Sequence, residues 1–152
     1  MSLQVAVQYA LPRRGVPSPV VLRRWARAAL AGRRRRGQVV IRVVDAREGA
    51  RLNAAYRQRS GPTNVLSFPG TALPRIVPSL LGDVVICAPV VAREARAQGK
   101  DPRAHWAHLV VHGVLHLLGY DHHTRVQTRR MESLEKKILA RLGYPDPYRS
   151  PL

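Results

Sequence analysis

All six histidines of this chain lie between His105 and His123. Within that stretch, His112-Gly113-Val114-Leu115-His116 sets two imidazoles four residues apart. A helix rises about 1.5 Å per residue and returns to one face every ~3.6 residues, so both rings project together, one turn apart. The flanks agree. Asp101-Pro102 supplies an N-cap and a first-turn proline, and the helix is expected to run to Leu118 and stop at Gly119. Glycine can leave a helix with positive φ, where other residues are strained. Three residues on, His122 can then fold back towards the first two histidines. Helix, glycine turn and third imidazole are prescribed together, and no other segment constrains the fold as tightly.

H-x3-H-x2-G-x2-H offers three nitrogen ligands, and three protein ligands leave a fourth position open, as in catalytic zinc sites. Structural zinc sites are normally closed by four ligands and rich in cysteine, whereas this chain has one cysteine, Cys87. His108, one turn before His112, either replaces a ligand or supports the site from outside. His105 and His123 are read as peripheral. The spacing is also that of the long zincin signature, H-E-x-x-H-x-x-G-x-x-H, whose glutamate is the general base of peptide hydrolysis. Here that position is Gly113. Zinc alone can lower the pKa of a water towards neutrality, so a hydrolytic site survives while the protease reading weakens.

Around this helix the sequence reads as α+β. Leu3, Val5, Val7 and Tyr9 alternate as a strand, and Ser18-Pro19 opens a helix that ends at Gly32. Val39–Val44 is a β-branched strand, Leu52–Tyr56 a helical turn or two, and Thr63–Phe68 a short third strand after a Gly61-Pro62 turn. Pro69–Pro78 reads as a loop, Asp83–Cys87 as a fourth strand and Pro89–Gln98 as a helix closed by Gly99. Met131, Leu134, Ile138 and Leu142 recur at helical spacing in a last helix over Arg125–Leu142. The expectation is one α+β domain over residues 1–152: a sheet of about four strands with four to five helices, one of them a zincin-like metal helix. Its element order argues against a regular doubly wound sheet.

Charge narrows the partners. Lys and Arg number 26 against 9 Asp and Glu, a net charge of +17, and the three lysines leave the balance to arginine. Guanidinium forks bind phosphate at two points, which suggests a polyanion such as nucleic acid. The competing reading is an arginine excess spread over the surface. With one cysteine, no signal-like N-terminus and no apolar run near the ~18–20 residues of a membrane span, a cytoplasmic protein without membrane or small-molecule cofactor is expected.

The segment His112–His122, HGVLHLLGYDH, closely resembles the signature H-G-x-L-H-L-x-G-Y-D-H of the YbeY family of bacterial metallo-endoribonucleases. Further likeness lies in Leu52-Asn53 with Tyr56-Arg57, in Pro62–Pro69 (PTNVLSFP), in Leu81–Cys87 (LGDVVIC) and in His105-Trp106-Ala107-His108. The resemblance implies a single-strand-specific endoribonuclease acting on the 16S rRNA 3′ end in rRNA maturation and on ribosomal particles in late quality control. It implies one zinc ion per chain on His112, His116 and His122, with Arg57 as the essential basic residue facing it. A guanidinium there would stabilise charge developing on a phosphate. Asn64 and Ser67 either line the cleft or cap strands, and Asp121 either orients a ligand histidine or forms the turn. Many relatives are acidic between Phe68 and Leu81 and again after His122. This chain has no acidic residue over Gly70–Leu80, and His123-Thr124-Arg125 followed by Arg129-Arg130 after the motif.

Two other readings stand beside this one. A metalloprotease would need a carboxylate to replace Gly113, and Asp121 is the local candidate. A ribosome-binding protein would use zinc for stability alone.

Overall fold

The computed structural model describes residues 3–57, 63–70 and 80–149, with Arg57 described by its backbone alone. Nine elements follow in chain order: β1 (Leu3–Tyr9), α1 (Pro19–Leu30), β2 (Gly37–Val44), α2 (Ala46–Arg57), β3 (Val65–Pro69), β4 (Leu80–Cys87), α3 (Ala88–Gln98), α4 (Pro102–Leu117) and α5 (Arg125–Arg141). The turn at Gly61-Pro62 and the loop residues 71–78 lie outside the described residues.

The sheet is mixed, in the order β1-β2-β4-β3. β1, β2 and β4 run parallel, and β3 returns antiparallel along the edge of β4. That edge strand separates the fold from a doubly wound sheet. The pleat sends alternate side chains to opposite faces. Val39, Ile41, Val43, Val84 and Ile86 enter the main core with Leu22, Trp25, Leu109, Val110 and Val114, so α1 and α4 cover that face. On the other face Val44, Leu66, Val85 and Cys87 form a smaller cluster against Val90, Leu52 and Phe68. Cys87 is buried there as a small apolar residue whose thiol donates to Asp45 O.

α2 is longer than the sequence reading allowed. Asp45 caps it, accepting from Glu48 N at 2.9 Å, and Glu48 holds Arg42 of β2 at 2.6 and 3.1 Å. Its first turns are secured by polar contacts and bury little, so hydrophobic spacing missed them.

Candidate metal centre

α4 forms as its termini dictate. Asp101 accepts from Arg103 N, and Gly119 follows the helix with φ 100°. Gly119 N donates to His116 O and Tyr120 N to Leu115 O, the paired bonds of a Schellman turn that satisfy carbonyls the helix leaves open. The turn then delivers His122. Ring centroids of His112 and His116 lie 4.7 Å apart, His116 and His122 5.0 Å, and His112 and His122 5.8 Å. One nitrogen from each of these three rings lies within 4.8 Å of the others, close enough to share an ion. Beside His112 and His122 opens a cleft of about 370 Å³, also lined by Thr128, Met131, Glu132, Glu135 and Tyr148.

A second group of possible ligands, His108, His112 and Glu135, shares His112 with the first. Its distances are those of hydrogen bonds. Glu135 is fully buried. Burial pushes its carboxyl up, but bonds from His108 and His112 outweigh that and hold it at about 2. It is therefore an anion that only accepts. His112 Nδ1–H donates to Oε2 at 2.7 Å, His108 Nε2–H to the same oxygen at 3.2 Å, and Tyr148 OH to Oε1 at 2.5 Å. A neutral His112 held in this way keeps its lone pair on Nε2, the tautomer a metal requires. Carboxylate behind imidazole is the usual support of a metal-binding histidine. His108 sits behind His112 on the shared carboxylate. Sequence reading missed both Glu135 and Tyr148. The available signal was a glutamate at the core-facing register of α5, four residues after Met131 and three before Ile138.

Other expected site residues are placed as follows. Arg57 is the last residue of α2, and its side chain lies outside the described residues. Ser67 Oγ donates to Gly113 O at 2.9 Å and so ties β3 to the metal helix. Asn64 Nδ2 donates to Glu94, whose carboxylate also accepts from buried His105 Nε2 at 2.9 Å. Burial lowers the pKa of His105 despite that carboxylate. Asp121 forms the turn, accepting from His122 N at 2.8 Å, and its other oxygen lies 3.1 Å from His123 Nε2.

Gly113 has a packing reason to be glycine. A Cβ built there would lie 2.6 Å from Val84 Cγ1 and 3.3 Å from Ser67 Oγ. α4 rests directly on β3 and β4 at this point, so the position where zincins carry their glutamate faces the sheet and has no room for one.

Fold and site define a class: an α+β protein in which the core helix α4 and the turn that follows it present three imidazoles able to hold a divalent metal. The family model described as Endoribonuclease YbeY matches residues 21–143, and the chain belongs to that family. It is an endoribonuclease. Among curated relatives, Endoribonuclease YbeY of Nitrosococcus oceani is 55% identical over 153 residues, covering 99% of both chains. Endoribonuclease YbeY of Stenotrophomonas maltophilia strain K279a is 59% identical over 150 residues, covering 96% of this chain and 93% of the relative. A solution structure from Thermotoga maritima shares the fold, with a TM-score of 0.60 at 19% identity over 95% of this chain and 99% of the other. The family match extends towards the N-terminus beyond the motif-bearing part of the sequence. No described helix is long and apolar enough to cross a membrane.

Proposed function

We propose that residues 1–152 act as one cytoplasmic, zinc-dependent endoribonuclease domain, specific for single-stranded RNA. Its work is rRNA maturation at the 16S rRNA 3′ end and late quality control of ribosomal particles. The observation that carries this reading is the convergence of His112, His116 and His122, two of which, His112 and His122, line an open cleft. The triad, not the His108–His112–Glu135 group, holds the ion. His122 is half-exposed, as an open fourth position requires, while Glu135 is sealed in the core.

When bound, one zinc ion supplies a Lewis acid and a water of lowered pKa. The chain's own residues do the rest. Glu135 fixes the orientation and tautomer of His112. Arg57 binds the reacting phosphate and offsets the charge that develops on it. Aromatic residues make up 5% of the chain, which places RNA recognition on backbone charge more than on base stacking. The protease reading loses its support, since position 113 faces the sheet with no room for a glutamate and Asp121, its candidate carboxylate, is engaged in its turn.

The test compares wild type, His116→Ala and Arg57→Ala on single- and double-stranded rRNA fragments, with metal content measured on each preparation. Loss of metal and cleavage in the first variant, and loss of cleavage with metal retained in the second, are expected. Cleavage by a rigorously metal-free preparation would overturn the mechanism.

A further inference from the structure

α5 begins with charges that work against it. Its first turn contains no acidic residue, Arg125 stands at the first helical position, and Arg129 and Arg130 follow one turn later. Cations near a helix N-terminus oppose the macrodipole and the unpaired N–H groups there. Thr124 and Gln127 compensate with a capping box. The helix dipole gains nothing from Arg125 at this position. Arg125, Arg129, Arg130 and Lys137 are exposed, and none makes an ion pair among the described residues. Exposed cations that make no ion pair among the described residues, one of them set against the helix dipole at Arg125, point outward, to a partner in solution.

The shape beside them is specific. On one flank of α5, Thr128, Glu132 and Glu135 line the histidine cleft. On the other flank, Arg130, Ser133, Leu134 and Lys137 line a groove of about 310 Å³ together with Tyr120. Arg125 and Arg129 stand on the outer ridge between the two by helical spacing. The turn that delivers His122 to the cleft therefore also delivers Tyr120 to the groove, two residues earlier. Arg130 and Lys137 share a face two turns apart, ~10 Å, the rise of about three nucleotides of a stacked strand at ~3.4 Å each. A cationic groove with an aromatic wall and an apolar floor is the form that single-stranded nucleic acid sites take.

We propose that the outer face of α5 is the track for the RNA strand leaving the histidine cleft. Arg125 and Arg129 carry the backbone over the ridge, Arg130 and Lys137 hold phosphates in the groove, and Tyr120 over Leu134 seats one nucleoside. The proposal rests on the single-stranded RNA reading above and adds where the strand lies and in which direction it leaves.

The test measures fluorescence-anisotropy affinity for a labelled 2′-O-methyl oligouridine across a salt series, with gels confirming that the probe stays intact. The metal-loaded full chain is compared with Arg129→Gln/Arg130→Gln/Lys137→Gln. An equal-charge control carries Arg33→Gln/Arg34→Gln/Arg36→Gln, in the turn between α1 and β2. Each phosphate contact on a single strand contributes ~0.7 to the slope of log affinity against log salt, so the track variant's slope should fall by about 2. Tyr120→Leu, which keeps apolar packing, should weaken binding about 5- to 150-fold through lost stacking. An unchanged slope in the track variant, or an equal fall in the control, overturns the track and leaves the endoribonuclease reading standing. Absence of salt-dependent binding in the wild type defeats both.

Discussion

The sharpest consequence of the buried carboxylate concerns metal affinity. Glu135→Gln keeps the side chain's shape and removes its charge. The amide oxygen can still accept from His112 and His108, and the amide nitrogen then faces Tyr148, whose hydroxyl can turn to accept. What is lost is charge assistance on the 2.7 Å bond to His112. Hydrogen bonds to charged groups contribute ~1.5–3 kcal/mol and neutral ones ~0.5–1.5, so the loss is about 1–1.5 kcal/mol. That corresponds to roughly tenfold in a dissociation constant, at the lower edge of the ~10–100-fold that outer partners of metal ligands typically contribute. Competition against a chromogenic zinc chelator at neutral pH measures it directly. The metal-free variant should be less stable than the metal-free wild type, because a carboxyl held at about 2, below its ordinary 4.5, favours the folded state when ionised, and a neutral amide forfeits that gain. A zinc affinity within twofold of wild type would refute the assignment of His112 as a ligand oriented through Glu135.

Other consequences are more local. Gly113→Ala gains about 1 kcal/mol of helix propensity, but its Cβ would lie 2.6 Å from Val84 Cγ1, and such overpacking costs ~1–3 kcal/mol. Thermal unfolding should therefore fall by a few degrees, and a rise would contradict the packing of α4 on the sheet. His105, lowered by burial from 6.5, binds its proton less readily folded than unfolded, so its contribution to stability is present above about pH 6.5 and lost as pH falls through its lower folded value. Urea titrations in chelator from pH 7.5 to 5 should show His105→Gln losing less stability than wild type, and parallel curves would refute this. Tyr148→Phe, which removes the 2.5 Å bond to Glu135, should weaken zinc binding less than Glu135→Gln, since His112 keeps its ionised partner. Isothermal titration ranks the two, and a larger effect for Tyr148→Phe would contradict that order.

How much of this was legible depended on whether the physics was local. α4 and its turn were readable because Asp101, Pro102 and Gly119 act on neighbouring backbone, and the histidine spacing follows from helical pitch alone. α5 was readable from Met131, Ile138 and Leu142. α2 was under-read because Asp45, Glu48 and Arg42 secure its start by polar contacts that hydropathy spacing does not register. The parallel pairing of β2 with β4 skips β3 in sequence, and that long-range choice is made by burial on both sheet faces. Glu135 was hidden for a related reason. Its position continues the apolar stripe of α5, but its identity makes sense only once His108 and His112, more than twenty residues earlier, are folded against it. Ser67 reads from sequence as either a cleft residue or a strand cap, and its bond to Gly113 O instead ties β3 to the metal helix.

The close seat of Gly113 also bears on how this protein can change over generations. Metal hydrolases sharing the H-x3-H-x2-G-x2-H spacing look one codon away from peptide chemistry, because a glutamate after the first histidine would complete the zincin pattern. Here that substitution would drive a side chain into Val84 and Ser67, on two different strands. Acquiring the new base would require prior or simultaneous shrinkage of β3 and β4, at positions that hold the sheet together. Intermediates along that path would carry the cost of an overpacked helix–sheet contact. The helix's contact with the sheet thus acts as a barrier between two reactions, keeping a lineage of RNA-cutting enzymes from drifting into proteolysis by single steps.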